Sequence, residues 1–407
     1  MASIAIAVGY LCVAAVSAFL PAADRAGAWL PIHLALAGAA STAIAGVMPF
    51  FSAAFAMAPP SDARVRWTSV IAVATGAAVV SIGFVADLLV VAAVGGVAYV
   101  SGASLVVVAT VRPARRGLGP RGGLVTRGYV AALLMVIAGA ALATLFLAGW
   151  PPVVEAWGRL RPAHAWLNLV GFVSLVVATT LLHFFPTVIG ARIQRIRSAH
   201  VTVGGLALGS LFVALGFAWA ADALARLGAL GVLVGGGALA SYCLAVWRAR
   251  ARWTSDHDWH LFAMGGLVSA VAWFELGLVV AAGRVVVGGA DTAAVSTDLL
   301  IGPLVLGWVG LAIMASATHL VPAVGPGHPV AHARQRRVLG RGARPRLIAA
   351  DAGVAAISLG LPWRLDLLTL TGAVLVTGAL VATSALVVRA VALGLRDQPP
   401  AERVRET

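Results

Sequence analysis

The sequence predicts an all-α integral membrane protein with about twelve transmembrane helices in three pseudo-repeats of four. Composition, the spacing of the apolar segments and an internal repeat support this prediction. Of the 407 residues, 61% are hydrophobic and only 11% are charged, and the mean hydropathy is +0.97. A soluble globular protein does not have this composition, so the chain is predicted to cross a membrane several times.

The second observation is a series of apolar segments separated by charged residues, proline or glycine. Asp87 alone divides the third segment from the fourth. No Lys or Arg precedes the first segment, which we therefore interpret as a retained helix and not as a signal peptide. The predicted spans are 3–20, 29–57, 67–86, 88–111, 127–150, 163–190, 199–220, 224–247, 259–282, 299–323, 346–361 and 366–392.

The third observation is a repeat with an offset of 136 residues. Seven residues of the sixth segment recur in the tenth: Gly171, Phe172, Val173, Leu175, Thr180, His183 and Pro186 correspond to Gly307, Trp308, Val309, Leu311, Ser316, His319 and Pro322. A weaker copy places Pro49 in the second segment 137 residues before Pro186. The repeat predicts one polytopic domain of three blocks, about 1–125, 126–258 and 259–407, with helices 2, 6 and 10 in equivalent places.

The basic residues predict the topology. All 29 are arginines, and 23 of them fall on the side that holds both termini, against 6 on the other side. This asymmetry predicts a cell inner (plasma) membrane protein with both termini in the cytoplasm. Topology explains the high pI, so the predicted partner of these arginines is the lipid bilayer and not nucleic acid.

Topology sorts the histidines into two layers, because each lies near one end of a predicted span. His33 and His164 form an outer layer, with Asn168 one helical turn from His164. Glu275 lies at a similar depth in the ninth span. Ionisable residues inside a bilayer are by default functional candidates. We therefore predict an outer cofactor pocket of His33, His164, Asn168 and Glu275, with a Glu275–Arg284 ion pair as the structural alternative.

The inner layer contains His183 and His319, each three residues before a proline, together with His260. These three residues are the predicted inner metal ligands. The alternative is that H-x-x-P is only a helix-ending motif copied by duplication. His200 and His257 share this layer. The loop 326–346 adds His328 and His332, but its Gly and Pro residues predict that it is not helical.

The outer half of the sixth segment resembles a known signature. Five residues, His164, Ala165, Leu169, Gly171 and Phe172, are similar to the H-A-H-E-M-L-x-G-F motif of NnrS-type haem- and copper-binding membrane proteins. Twelve helices in three groups of four, with helices 2, 6 and 10 central, resemble subunit I of the haem-copper oxidases. The resemblance implies haem b or copper as cofactor, and His33 matches the family's helix 2 ligand of the low-spin haem.

The chain departs from the oxidase pattern at the oxygen-reducing centre. Helix 10 has no histidine before His319, and helix 7 offers only His200. The resemblance therefore implies electron transfer or handling of copper or nitric oxide, with a redox partner, rather than oxygen reduction, and it leaves enzymatic activity open. Two other classes remain: a cofactor-free transporter or channel with Pro49, Pro186 and Pro322 beside its path, and a structural membrane subunit.

Overall fold

The computed structural model describes residues 2–117, 122–193, 196–250, 257–292 and 296–397. Over these ranges the chain is built from helices joined by short connections. The helices are α1 Ala2–Ser17, α2 Trp29–Ala56, α3 Ala63–Val85, α4 Leu89–Arg116, α5 Gly122–Leu147, α6 Pro151–Ile189, α7 Ile196–Trp219, α8 Asp222–Arg248, α9 His257–Gly288, α10 Asp298–Val324, α11 Pro329–Leu339, α12 Ala343–Gly360 and α13 Asp366–Arg396.

These helices confirm the predicted all-α membrane architecture. In the described part of the chain, ten helices are long and apolar enough to cross a membrane, and the shorter helices α1 and α12 lie at the other two predicted spans. The outer surface is apolar, with Val90 78% and Leu367 79% exposed. Such side chains match a hydrocarbon solvent, so the protein is a multi-pass membrane protein in a lipid bilayer.

One predicted helix boundary and one predicted loop were wrong. Helix α6 begins at Pro151, not near 163. The charged segment before the apolar run is also helical and forms an exposed N-terminal extension that contains Glu155 and Arg159. The loop 326–346 contains α11, because Pro329 occupies the first turn and removes no needed hydrogen bond. His328 precedes α11, and Nε2 of His332 lies 3.3 Å from the Gly325 carbonyl oxygen.

Three helical hairpins, α3–α4, α7–α8 and α12–α13, share one turn. Each turn has a non-glycine residue in the left-handed region: Asp87 (φ 56°), Ala220 (φ 53°) and Arg364 (φ 55°). Each turn also follows a glycine that lets the two helices touch. A Cβ on Gly83, Gly216 or Gly360 would lie 2.6, 2.5 or 2.8 Å from the backbone nitrogen of Ala92, Ala225 or Thr369. This recurrence supports an internal triplication, while the block boundaries stay a prediction.

The glycine contacts predict a position-specific loss of stability. Gly216→Ala is expected to force α7 and α8 apart and to lower stability by about 1–3 kcal/mol, as overpacking does. Gly204→Ala in the same helix is the matched control, because its Cβ would meet nothing within 4 Å. The control is expected to be neutral or stabilising by about 0.5–1 kcal/mol. Thermal unfolding in detergent measures both, and equal melting temperatures would contradict the packing argument.

Helices α2, α6 and α10 meet at the centre of the fold. Each widens into a π-helical segment, Leu34–Ala40, Leu169–Ser174 and Ile301–Gly310 respectively, and each segment contacts the other two. The Trp308 indole N–H donates to the Ser174 hydroxyl at 3.0 Å, and both side chains are fully buried. π-Helical turns are frequent at functional sites. His33 lies immediately before the first of these segments, and His164 lies one turn before the second.

Candidate metal site

His33 of α2 and His164 of α6 face each other at the predicted outer end of these central helices. Their ring centroids are 6.4 Å apart, and their planes differ by 13°. Both side chains are half-buried. The structure therefore brings together the two histidines that the sequence assigned to one layer.

A backbone carbonyl orients each imidazole. Nδ1 of His33 donates to the Trp29 oxygen at 2.8 Å, and Nδ1 of His164 donates to the Gly139 oxygen at 2.8 Å. Because a carbonyl oxygen can only accept, the proton of each neutral ring sits on Nδ1, and Nε2 presents its lone pair. No residue in the described ranges hydrogen-bonds to either Nε2. Metal-binding histidines are held in this way, with the second nitrogen donating to a carbonyl or carboxylate.

Aromatic side chains surround the histidine pair. The Trp29 ring stacks on His33 with centroids 4.0 Å apart, and Phe84 stacks on Trp29, also at 4.0 Å. Trp157 lies 6.1 Å from the His164 ring. None of these aromatic residues was among the predicted site residues, although Trp29 lies four residues before His33 and so on the same helical face.

Asn168 and Gly139 position His164. The Asn168 side-chain amide donates to the His164 carbonyl oxygen at 2.7 Å and lies 3.2 Å from its Nδ1. A Cβ on Gly139 would come within 2.3 Å of the Asn168 amide nitrogen. Gly139 thus allows α5 to approach α6 closely enough for its carbonyl to reach the imidazole.

Glu275 lies away from this group. Its carboxylate packs against Gly236 of α8, where a Cβ would be 3.0 Å from one carboxylate oxygen. Within the described part of the chain, Oε1 of Glu275 is buried without a hydrogen-bond partner, and Glu275 forms no ion pair with Arg284. Of the four predicted outer residues, His33, His164 and Asn168 lie close together, and Glu275 lies between α8 and α9.

Asp351, a second carboxylate inside the fold, was not among the predicted site residues. Asp351 of α12 accepts hydrogen bonds from the Ser269 hydroxyl and the Trp273 indole N–H, both at 2.9 Å. Its position in a predicted apolar span was the available signal, because the argument that singled out Glu275 applies to it equally.

The inner layer brings two of its three predicted ligands together. The His260 and His319 rings are 6.2 Å apart at 70°, and the side chains are 3% and 8% exposed. His183 instead packs on Phe55 at 4.6 Å. His200 is exposed, and the side chain of His257 lies outside the described residues. In the described ranges, no three His, Cys, Asp or Glu side chains gather as a metal site.

The architecture matches that of a solved oxidase. The structure superposes on a haem-copper terminal oxidase, determined by cryo-EM as a dimer, with a TM-score of 0.68 and 12% sequence identity. The chain has a haem-copper oxidase-like fold. The match covers 96% of this chain and 81% of the oxidase. At this identity the likeness establishes the fold alone, and it confirms the fold that the sequence predicted.

No protein-family model matches the chain, and no curated protein matches it. The NnrS-type resemblance therefore stays a prediction. Within the haem-copper oxidase-like fold, the assignment of a cofactor depends on the geometry of this chain's own histidines.

Proposed function

We propose that this haem-copper oxidase-like protein binds haem b or copper between His33 and His164 and serves in electron transfer or in copper or nitric oxide handling. The observation that supports the proposal best is the paired orientation of the two imidazoles. Each has its Nδ1 proton committed to a carbonyl, and the ring centroids are 6.4 Å apart. Each Nε2 lone pair is therefore available to a metal at the same depth in the fold.

The spacing of the two rings fits one bridging metal. A metal–nitrogen bond is about 2 Å long, and adding the distance from Nε2 to the centre of each ring gives a centroid separation of about 6 Å. The observed 6.4 Å agrees with this value. The donor set thus has the reach to hold one ion between α2 and α6.

The number of ligands narrows the choice of metal. Structural zinc takes four protein ligands and catalytic zinc three, and no such group gathers in the described part of the chain. A haem iron needs only two axial ligands from the protein, and imidazole is a common one. Copper also accepts imidazole nitrogen. Two histidines therefore suit haem b or copper better than zinc.

The residues around the pair have distinct tasks. His33 and His164 would hold the metal, which supplies one-electron chemistry when bound. The Trp29 and Gly139 carbonyls fix the neutral tautomers, and Asn168 holds the backbone of His164. The aromatic rings of Trp29 and Phe84 limit the approach of water on the α2 side, which favours electron exchange over reactions with solvent.

We further propose a membrane topology and a side of the membrane for this site. Both termini are placed in the cytoplasm and the histidine pair near the outer face of the plasma membrane, as the arginine distribution predicts. A redox protein that docks at the outer face would exchange electrons with the site. The described residues gather no three-ligand copper site beside the pair, which supports transfer or handling rather than oxygen reduction.

The test is the visible spectrum and metal content of the protein purified in detergent. A Soret band with about one iron per chain identifies haem, and about one copper per chain without a Soret band identifies copper. Both outcomes require that the signal be lost in a His33→Ala/His164→Ala variant that still folds. Colourless, metal-free protein would overturn the proposal and favour a transporter with Pro49, Pro186 and Pro322 beside its path.

The inner pair gives a second, separable part of the proposal. His260 and His319 are close enough to share an ion, with His183 as the predicted third ligand. If they do, metal analysis of the wild type will show a second equivalent that His319→Ala removes. A metal content unchanged by His319→Ala would assign the H-x-x-P motif to helix ending.

A further inference from the structure

Glu275 is a carboxyl group inside a membrane helix whose surroundings contain no described partner. One of its oxygens, Oε1, is fully buried and accepts no hydrogen bond. Its neighbour on the adjoining helix is Gly236 of α8, and the apolar Leu278, three residues after Glu275 on α9, packs against the same glycine. The missing side chain at Gly236 provides the space, since a Cβ there would lie 3.0 and 3.4 Å from the two carboxylate oxygens.

Asp351, the carboxylate on the other side of α9, has hydrogen-bond partners and provides a comparison with Glu275. Each of its oxygens accepts one hydrogen bond, from Ser269 or Trp273 of α9. Trp273 and Glu275 are two residues apart and so about 200° apart around the helix. Asp351 of α12 therefore packs on one face of α9, where it receives two hydrogen bonds, and Glu275 projects from the opposite face, where Oε1 receives none.

None of the described titratable groups near α9 neutralises Glu275. Cys243 of α8 interacts with it electrostatically, but a thiol brings no positive charge. Leu304 and Pro303 of α10 pack beside Gly277, about 200° around α9 from Glu275, so α10 presents them to the opposite face of the helix. His260 lies about four helical turns before Glu275 on α9, near the opposite end of the helix, and His319 packs beside His260.

We infer that Glu275 is a proton-binding site inside the membrane, held as a neutral carboxylic acid between α8 and α9 and able to exchange its proton. An ionised carboxylate without partners is strongly disfavoured in an apolar environment, so the neutral acid is the stable form. The ligand of the site is the hydrogen ion. Ionisable residues of this kind within transmembrane helices commonly mark proton or ion paths. The inference is independent of any metal at His33 and His164.

Infrared spectroscopy of the purified full-length protein tests the inference. The wild type is expected to show a carboxylic acid C=O stretch at neutral pH that is absent from Glu275→Gln and present in Asp351→Asn. Transfer to D2O is expected to lower the frequency of this band, which reports exchange of the acid proton. Glu275→Asp keeps the acid and should shift the band without removing it, so the assignment survives if the glutamine variant folds poorly.

Two outcomes would overturn the inference. If wild type and Glu275→Gln have the same acid C=O intensity, Glu275 is ionised. If the band is present but does not shift in D2O, Glu275 is a static structural acid without proton access. Labelling by a membrane-soluble carbodiimide, which adds to protonated carboxyl groups, gives an independent readout by mass spectrometry, with modification expected at Glu275 and not at Asp351.

Discussion

Replacing His33 by alanine is expected to remove the metal from the outer site. His33 contributes one of two protein donors, and its Nδ1 bond to the Trp29 carbonyl leaves no other orientation for its Nε2. Loss of an outer-shell partner typically weakens metal binding by about 10–100-fold, so loss of a ligand itself is expected to cost more than that. Titration of metal-depleted protein, followed by the visible spectrum and metal analysis, measures the change.

The control for this variant is His200→Ala, because His200 is exposed and lies on α7 outside the site. It is expected to bind metal as the wild type does. Free imidazole added to His33→Ala is expected to restore part of the binding, because it fits the space that the side chain leaves. Wild-type affinity in both His33→Ala and His164→Ala, with unchanged melting temperatures, would show that the pair is a structural contact only.

The sequence was sufficient for the membrane architecture because apolar length is the dominant constraint on a spanning helix. Asp87 was enough to separate α3 from α4, and the structure has the turn there. The predictions that were wrong concern α6 and α11. The first turns of α6 and the whole of α11 lie outside the apolar segments, where hydropathy does not predict secondary structure. Helix α11 also depends on tertiary contacts, since the Gln335 amide donates to the Pro326 and Ala390 carbonyl oxygens.

The candidate site was only partly predictable for a different reason. Depth along a helix follows from residue count, so His33 and His164 were assigned to one layer. Rotation about the helix axis depends on packing, and here the π-helical segments shift the register of α2 and α6. Glu275 has the right depth but faces α8, and no count along the chain could show this. The role of Gly139 could not be predicted from the sequence, because it depends on the close approach of Asn168 from another helix, which only a residue without a side chain permits.

Gly139→Ala is the second substitution with a large expected effect. Its Cβ would lie 2.3 Å from the Asn168 amide nitrogen, so either the amide moves or α5 withdraws. Movement of the amide breaks its bond to the His164 carbonyl, and withdrawal of α5 lengthens the bond that orients the His164 ring. Either change loosens a metal ligand, and metal binding is expected to weaken by about 10–100-fold.

A double-mutant cycle with Asn168→Ala identifies the cause of this effect. Truncating Asn168 removes the group with which the new Cβ collides, so Gly139→Ala is expected to cost less in the Asn168→Ala background than in the wild type. Gly123→Ala, in the same helix with nothing within 4 Å of its Cβ, should leave metal binding unchanged. Additive effects of the two substitutions would mean that Gly139 and Asn168 act independently on the site. A positive coupling would show that the closeness of α5 and α6, set by one hydrogen atom in place of a methyl group, holds His164 toward His33.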